Sequence, residues 1–232
     1  MGDLWHGTTE AVRLLLTGDQ DVWAIALLSL RVSLTATLAG LLVGVPIGSA
    51  LALTRFRGRS LLVGLVHAGM GLPRVTVGLI VTLVLWRNGP LGLLHLLYTP
   101  TAMIIAQAVI ATPIVAGLTL AAVQALDPRL RLQLLALGAS PLQTTWWLLR
   151  EARLPLLAAV MAGFGAVISE VGAALMVGGN IKGETRVLTT ATVLEVGMGN
   201  FDVAIALSFV LLALSYGVNV ALTVIQQHRG PA

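Results

Sequence analysis

The chain has 232 residues, of which 57% are hydrophobic and 10% charged, and its mean hydropathy is +0.93. So little polar side chain cannot cover a soluble globule of this length, and the composition therefore predicts an integral membrane protein. The formal net charge of +4 does not indicate nucleic-acid binding, because the basic residues lie between hydrophobic runs and are not clustered. The sequence contains no cysteine, which excludes disulfides, thiolate metal sites and thiol catalysis.

Residues 1–21 form an N-terminal segment before the first hydrophobic span. The segment contains several acidic residues, and its apolar run at 14–16 lacks the length and the basic leader of a signal peptide. Leu4, Val12 and Leu16 fit one apolar face only loosely. We predict an extracytoplasmic amphipathic helix lying on the membrane surface, with an unordered terminus as the alternative.

Five stretches are long enough to cross the bilayer, because a spanning helix needs about 20 mainly apolar residues. They are residues 22–53, 61–86, 101–125, 154–178 and 203–225. These spans predict an all-α, polytopic membrane domain over residues 22–227, with a polar loop at 126–153 and a short tail at 228–232.

Basic residues are concentrated in the loops on one side of the membrane, and cytoplasmic loops favour Lys and Arg. On that side lie Arg55, Arg57, Arg59, Arg129, Arg131, Arg150, Arg153 and Arg229. The basic residues of the opposite loops are offset by acidic ones. The pattern predicts a multi-pass membrane protein whose N-terminus lies outside and whose C-terminus is cytoplasmic.

The loop at 126–153 carries two helix start signals and one stop signal. Asp127 can cap a helix whose first residue is Pro128, and Gly138 is suited to end that helix in a left-handed conformation. Ser140 and Pro141 then repeat the start signal. The pattern predicts two short helices separated by a turn at Gly138.

The second of these helices is predicted to be amphipathic. Leu142, Trp146 and Leu149 fall at i, i+4 and i+7 and therefore share one face. Such a face suits docking into a groove on another protein, whereas Trp146 and Trp147 equally suit a helix that lies among lipid headgroups. The residues by themselves leave both interpretations open.

Two short motifs frame this helix: Gly138-Ala139-Ser140 before it and Leu154-Pro155 after it. Their order resembles the cytoplasmic coupling loop of permeases of ATP-binding cassette (ABC) importers, although the family's Glu-Ala-Ala is replaced by Leu-Gln-Leu at residues 132–134. The resemblance implies that a separate ATPase subunit, which binds ATP and Mg, docks on this loop, and that the chain itself holds no cofactor or metal. The implied ATPase-coupling residues are Gly138, Ala139, Ser140, Pro141, Leu142, Trp146 and Leu149.

Further motifs lie in and after the fourth span. Residues 170–173 read Glu-Val-Gly-Ala, residues 179–181 Gly-Asn-Ile, and residues 185–190 Thr-Arg-Val-Leu-Thr-Thr. Together they resemble permeases of oxyanion importers. The doubled Thr, with Arg-Glu-Ala-Arg at residues 150–153, favours the tungstate type over its molybdate and sulfate sisters.

This second resemblance extends over residues 23–225. It implies a type I ABC importer permease, an all-α bundle of about five transmembrane helices with a cytoplasmic coupling helix. It also implies a homodimer in the lipid bilayer of the inner (plasma) membrane. This homodimer works by alternating access with two ATPase subunits and an extracytoplasmic oxyanion-binding protein. No nucleic acid is an expected partner.

Glu170 lies inside the fourth predicted span, where an ionised side chain costs about 2.5 to 3.5 kcal/mol. We expect it to be compensated by an ion pair with Arg31 or Arg74, or by an aqueous pathway. Because a carboxylate repels an oxyanion, we predict that Glu170 shapes or gates the pathway and does not bind cargo. The hydroxyl groups that can donate to a passing anion are those of Ser169, Thr185, Thr189 and Thr190.

Small residues recur every fourth position in the first span, at Gly40, Gly44 and Gly48. They permit close helix contact, and a homodimer seam or a contact within the chain explains them equally. Pro73, inside the second span, can kink that helix.

The sequence contains no His-Glu-x-x-His pattern, no Gly-x-Ser-x-Gly elbow and no phosphate loop. The chain is therefore predicted to be non-catalytic and unable to hydrolyse ATP alone.

A secondary transporter or a channel without an ATPase partner is the alternative. Secondary transporters usually carry internal inverted repeats, and no convincing repeat is visible.

Overall fold

The computed structural model describes residues 20–228, and these residues are largely helical and contain no strand. In chain order the elements are α1 (Gln20–Leu53), α2 (Arg59–Met70), α3 (Arg74–Leu85), a 3-10 turn (Gly92–Leu94), α4 (Pro100–Gln124), α5 (Pro128–Ala136), α6 (Pro141–Glu151), α7 (Arg153–Ile168), α8 (Gly172–Gly178), α9 (Leu188–Met198) and α10 (Phe201–His228). The predicted surface helix at 1–21 and the tail at 228–232 lie almost wholly outside the described residues.

Among residues 20–228, three helices (α1, α4 and α10) are each long and apolar enough to cross a membrane, and two bent pairs bring the number of candidate spans to as many as 5. The bent pairs are α2 with α3, at 102°, and α6 with α7, at 75°. The all-helical fold with about five spans is therefore confirmed.

Helix α4 is the centre of the bundle and contacts α1, α2, α3, α7 and α8. Its buried side chains, among them Met103 and Ala106, form the main core with Val81 of α3 and Val177 of α8. Burial on all sides explains why α4 is apolar around its whole circumference.

The glycines of α1 pack against α4 in the same chain. A Cβ on Gly40 would lie 2.7 Å from Cβ of Ala111, and one on Gly44 would lie 2.9 Å from the carbonyl oxygen of Thr112. A Cβ on Gly48 would collide with the carbonyl oxygen of Ala116. The residue numbers rise together along both helices, so α1 and α4 run in the same direction. The small-residue repeat is thus a contact within the chain.

The second predicted span, 61–86, is not one helix. Helix α2 ends at Met70, and α3 begins at Arg74 directly after Pro73, which stands at the N-cap. Proline has no N–H to donate and disfavours helical geometry in the residue before it, so the helix breaks here and the chain turns by 102°.

The fourth predicted span, 154–178, is also divided. Helix α7 ends at Ile168, and α8 begins at Gly172 after a break that contains Glu170. In addition, the segment predicted as an outer loop contains α9, whose buried Leu188 and Ala191 pack against Val22 and Leu207. Helix α9 has 11 residues, too few to cross a bilayer. For that reason the search for apolar spans in the sequence did not reveal this helix.

Candidate functional site

The turn at Gly138 has the predicted form. Oδ1 of Asp127 accepts a hydrogen bond from the Arg129 N–H at 2.8 Å and caps α5. At the other end Gly138 has φ +83°; its N–H donates to Leu135 O and the next N–H donates to Leu134 O, each at 3.0 Å. These two bonds form a Schellman motif, which fixes the direction in which the chain leaves α5.

The start of α6 is held equally firmly. Oγ of Ser140 accepts from the Gln143 N–H at 3.3 Å, Oε1 of Gln143 accepts from the Ser140 N–H at 2.8 Å, and Pro141 occupies the first turn. This reciprocal capping box satisfies N–H groups that would otherwise lack partners. Local bonds within residues 127–143 therefore fix how the chain enters α6.

Helix α6 buries one side and exposes the other. Thr144 and Leu148 are buried against the bundle, whereas Leu142 is 81% exposed and Trp146 is 67% exposed. Leu149, predicted on the same face as these two, is half-buried. We call the exposed apolar pair Leu142 and Trp146 the docking face.

A second site lies where the two helix breaks meet. Nη1 of Arg74, at the start of α3, is 3.5 Å from Oε2 of Glu170 in the break between α7 and α8. The side chain of Glu170 is 3% exposed and that of Arg74 is 42% exposed. Of the two predicted partners, the structure thus brings Arg74 to Glu170, while Arg31 lines a different pocket.

Glu170 also accepts hydrogen bonds from residues of α8 and α9. Its second carboxylate oxygen, Oε1, accepts from the Ala173 N–H at 2.9 Å at the start of α8. Its carbonyl oxygen accepts from Oγ1 of Thr189 at 2.8 Å, which ties α9 to the break. Glu170 therefore links α3, α8 and α9 at one point, a position suited to shaping a pathway.

The other predicted hydroxyl donors are engaged within the chain. Thr185 donates to Gly178 O at 2.5 Å, Thr190 to Val187 O at 3.1 Å, and Ser169 to Gly165 O at 2.8 Å. Thr185, Thr189 and Thr190 are buried, and Ser169 is exposed. In this conformation their hydroxyl protons stabilise the loop at 179–187 and the helix ends, so contact with a passing anion requires a rearrangement.

A small buried cavity adjoins Glu170. Its volume is about 10 Å³, close to the space that one water molecule needs, and its polar lining comes from Ser29, Ser33, Gln107, Glu170 and Thr189. Gln107 is 2% exposed, and its Oε1 has no hydrogen-bond partner among residues 20–228. Sequence reasoning missed this residue, whose one signal is an amide side chain in the interior of an apolar span.

Proteins with similar sequences are membrane subunits of transport systems. Residues 44–231 match the family model described as binding-protein-dependent transport system inner membrane component. The tungstate uptake system permease protein of Peptoclostridium acidaminophilum is 41% identical over 222 residues, which are 96% of this chain and 97% of that protein. A probable anion ABC transporter permease protein of Haloferax volcanii is 42% identical over 84% of this chain and 87% of its own length.

The fold also matches a solved transporter. The methionine ABC transporter MetNI, in inward-facing conformations, superposes with a TM-score of 0.74 at 20% identity, over 92% of this chain and 99% of that one. At that identity the match describes the architecture and not the cargo.

Proposed function

The chain belongs to the family of binding-protein-dependent transport system inner membrane components, and on that premise we propose that it is the permease subunit of an ATP-driven importer of tungstate or of a related oxyanion such as molybdate. The observation that carries the choice of cargo is the 41% identity to a tungstate permease over 96% of the chain. The secondary-transporter and channel alternatives are set aside, because the family is one of binding-protein-dependent systems.

The family supports a binding protein and an ATPase as partners, and to these the proposal adds a second copy of the chain. An extracytoplasmic oxyanion-binding protein delivers the cargo, a second copy of the chain completes the pathway, and two ABC ATPase subunits bind ATP and Mg and hydrolyse ATP. The chain is a multi-pass inner-membrane protein. We place its N-terminus outside and the docking face in the cytoplasm, in agreement with the arginines of loop 126–153.

The docking face supplies the contact to the ATPase. Exposed Leu142 and Trp146 form the apolar side of an amphipathic helix, and such helices bind in grooves on partner proteins. Because the capping box and the Schellman motif fix α6 at its start, a displacement of the ATPase groove moves α6 as a rigid body.

That displacement reaches the middle of the bundle through α7. Helix α6 meets α7 at 75° with only Ala152 between them, and α7 ends at the break that holds Glu170. The Glu170 carboxylate then connects to Arg74 at the break between α2 and α3. Motion of the docking helix is thus delivered to two helix breaks, where the bundle can open and close as in alternating access. Glu170 acts there as a gate and not as a ligand of the anion.

Transport of radiolabelled tungstate tests the proposal. Cells that lack their own tungstate uptake are given this chain with its ATPase and binding protein, and matched cells receive the ATPase and binding protein alone. We expect ATP-dependent accumulation only when the chain is present, with competition by molybdate and little by sulfate. Equal accumulation in both cell lines would refute the proposal.

A further inference from the structure

A polar pocket lies at the end of the bundle opposite the docking face. It is lined by the first turns of α1, by Pro100 at the start of α4, and by the loop at 179–187, and its volume is about 270 Å³. Helix α4 separates the two ends, since Gln124 at its other terminus leads directly into the loop that carries α5 and α6. The 25 residues of α4 span about 37 Å.

Three cationic side chains line this pocket: Arg31, Lys182 and Arg186. Lys182 is neutralised at the rim, because its Nζ lies 2.5 Å from Oδ2 of Asp21 and both side chains are well exposed. Arg31 also lines the pocket and stands 10 residues further along α1 than Asp21, which places it about 15 Å further along the helix axis and about 80° around it. The other carboxylate in the lining is that of Glu184, which is exposed.

The two arginines have unused donors. Nε of Arg186 is buried and has no hydrogen-bond partner among residues 20–228, while its Nη2 makes a long bond of 3.4 Å to Asn180 O. Within the same described range the guanidinium of Arg31 has no hydrogen bond or ion pair. The buried Nε of Arg186 is closed to a ligand in this conformation, whereas Arg31 is exposed. The donors that the pocket offers to an acceptor from outside the chain are therefore those of the Arg31 guanidinium and the Nη groups of Arg186.

Two guanidinium groups with free N–H donors match a small oxyanion, since each can bind two oxygens side by side. The pocket volume of about 270 Å³ accommodates a tetrahedral anion with part of its hydration. We infer that Arg31 and Arg186 form an entry site that binds the transported tetrahedral oxyanion before it reaches the gate; this inference rests on the proposed transport function.

The position of the pocket agrees with this role. Arg186 is followed directly by Val187, which lines the small cavity beside Glu170. On α1, pocket residues Leu28 and Arg31 alternate with cavity residues Ser29 and Val32. The entry site is therefore one layer of side chains outside the Glu170 break.

Direct binding of tungstate to the purified full-length chain in lipid nanodiscs, without ATPase or binding protein, tests the inference. Isothermal titration compares the wild-type chain with Arg31→Gln, Arg186→Gln and Arg186→Lys. We expect each glutamine variant to weaken binding about tenfold or more, because a charge-assisted hydrogen-bond pair is lost. The affinity of Arg186→Lys should fall between those of wild type and the glutamine variant, because lysine keeps the positive charge but lacks the paired N–H donors of a guanidinium.

Arg87→Gln is the matched control, because Arg87 is exposed and does not line this pocket. Its affinity for tungstate should equal that of wild type, and all variants should elute and unfold as wild type does. The inference is overturned by the absence of wild-type binding, by an equal loss in Arg87→Gln, or by unchanged binding in both glutamine variants.

These outcomes are separate from the proposed function. Uptake by the complete wild-type transporter can be present while the chain alone binds no tungstate, which would contradict the entry site and leave the transport assignment standing. Absence of uptake in the complete system, with tungstate binding by the chain intact, would contradict the transport assignment and leave the anion-binding site standing.

Discussion

Replacing Gly138 should uncouple transport without affecting insertion of the chain into the membrane. Gly138 has φ +83°, and a Cβ at this position would meet no atom within 4 Å. Alanine therefore fits sterically, and its cost is conformational only, about 1–2 kcal/mol for an L-residue in the left-handed region. That cost lowers the population of the intact turn about 5- to 30-fold relative to its open forms.

The side chain at this position determines how strongly coupling is lost. Asparagine tolerates the left-handed region better than alanine, so Gly138→Asn should retain more uptake than Gly138→Ala. Gly138→Arg adds a long cation in the open space where the ATPase is proposed to dock, and should lose nearly all uptake. The assay is ATP-dependent tungstate uptake per permease, with the amount of ATPase retained on purification measured in parallel.

Gly199 provides the matched control. It has φ +82°, a Cβ there would also meet nothing within 4 Å, and it lies between α9 and α10 at the opposite end of the bundle. Gly199→Arg should carry the same backbone strain and leave ATPase retention unchanged. Full uptake by Gly138→Arg, or equal loss of ATPase in both arginine variants, would refute the reasoning.

Further predictions concern packing, the ion pair and the docking face. Gly48→Val should lower the thermal unfolding midpoint in detergent by roughly 2–10 °C, because the new side chain collides with α4, whereas Gly64→Val should not lower it, since a Cβ there meets nothing within 4 Å. A double-mutant cycle of Glu170→Gln with Arg74→Gln should give a coupling energy below about 1 kcal/mol, because the Arg74 side chain is 42% exposed; a value above about 3 kcal/mol would contradict this. Trp146→Ala should keep the unfolding midpoint and lose ATPase retention; a lower midpoint with normal retention would instead assign Trp146 to packing.

The coupling loop could be predicted from the sequence because its structure is local. Asp127, Gly138 and Ser140 act on residues two to five positions away, and their caps form as the sequence indicates. Helices α1, α4 and α10 were likewise predictable from the length of their apolar runs.

The break in the second span falls at Pro73, where the sequence indicates a kink, but the break in the fourth span was not predictable in this way. Residues 154–178 form one apolar run, and the break at Glu170 depends on bonds to Arg74 and Thr189, which lie 96 and 19 residues away in sequence. The choice between Arg31 and Arg74 depends on the same tertiary contacts, because both residues lie inside predicted spans. The buried amide of Gln107 gains meaning only from the cavity around it.

Gentle affinity purification of this chain from its native membranes, followed by mass spectrometry of the bound proteins, tests the central claim most directly. The account predicts that an ABC ATPase is recovered in stoichiometric amount with the wild-type chain and is lost from a variant with Leu142→Asp and Trp146→Asp on the docking face. Recovery of an intact permease that reproducibly lacks an ATPase would contradict the account.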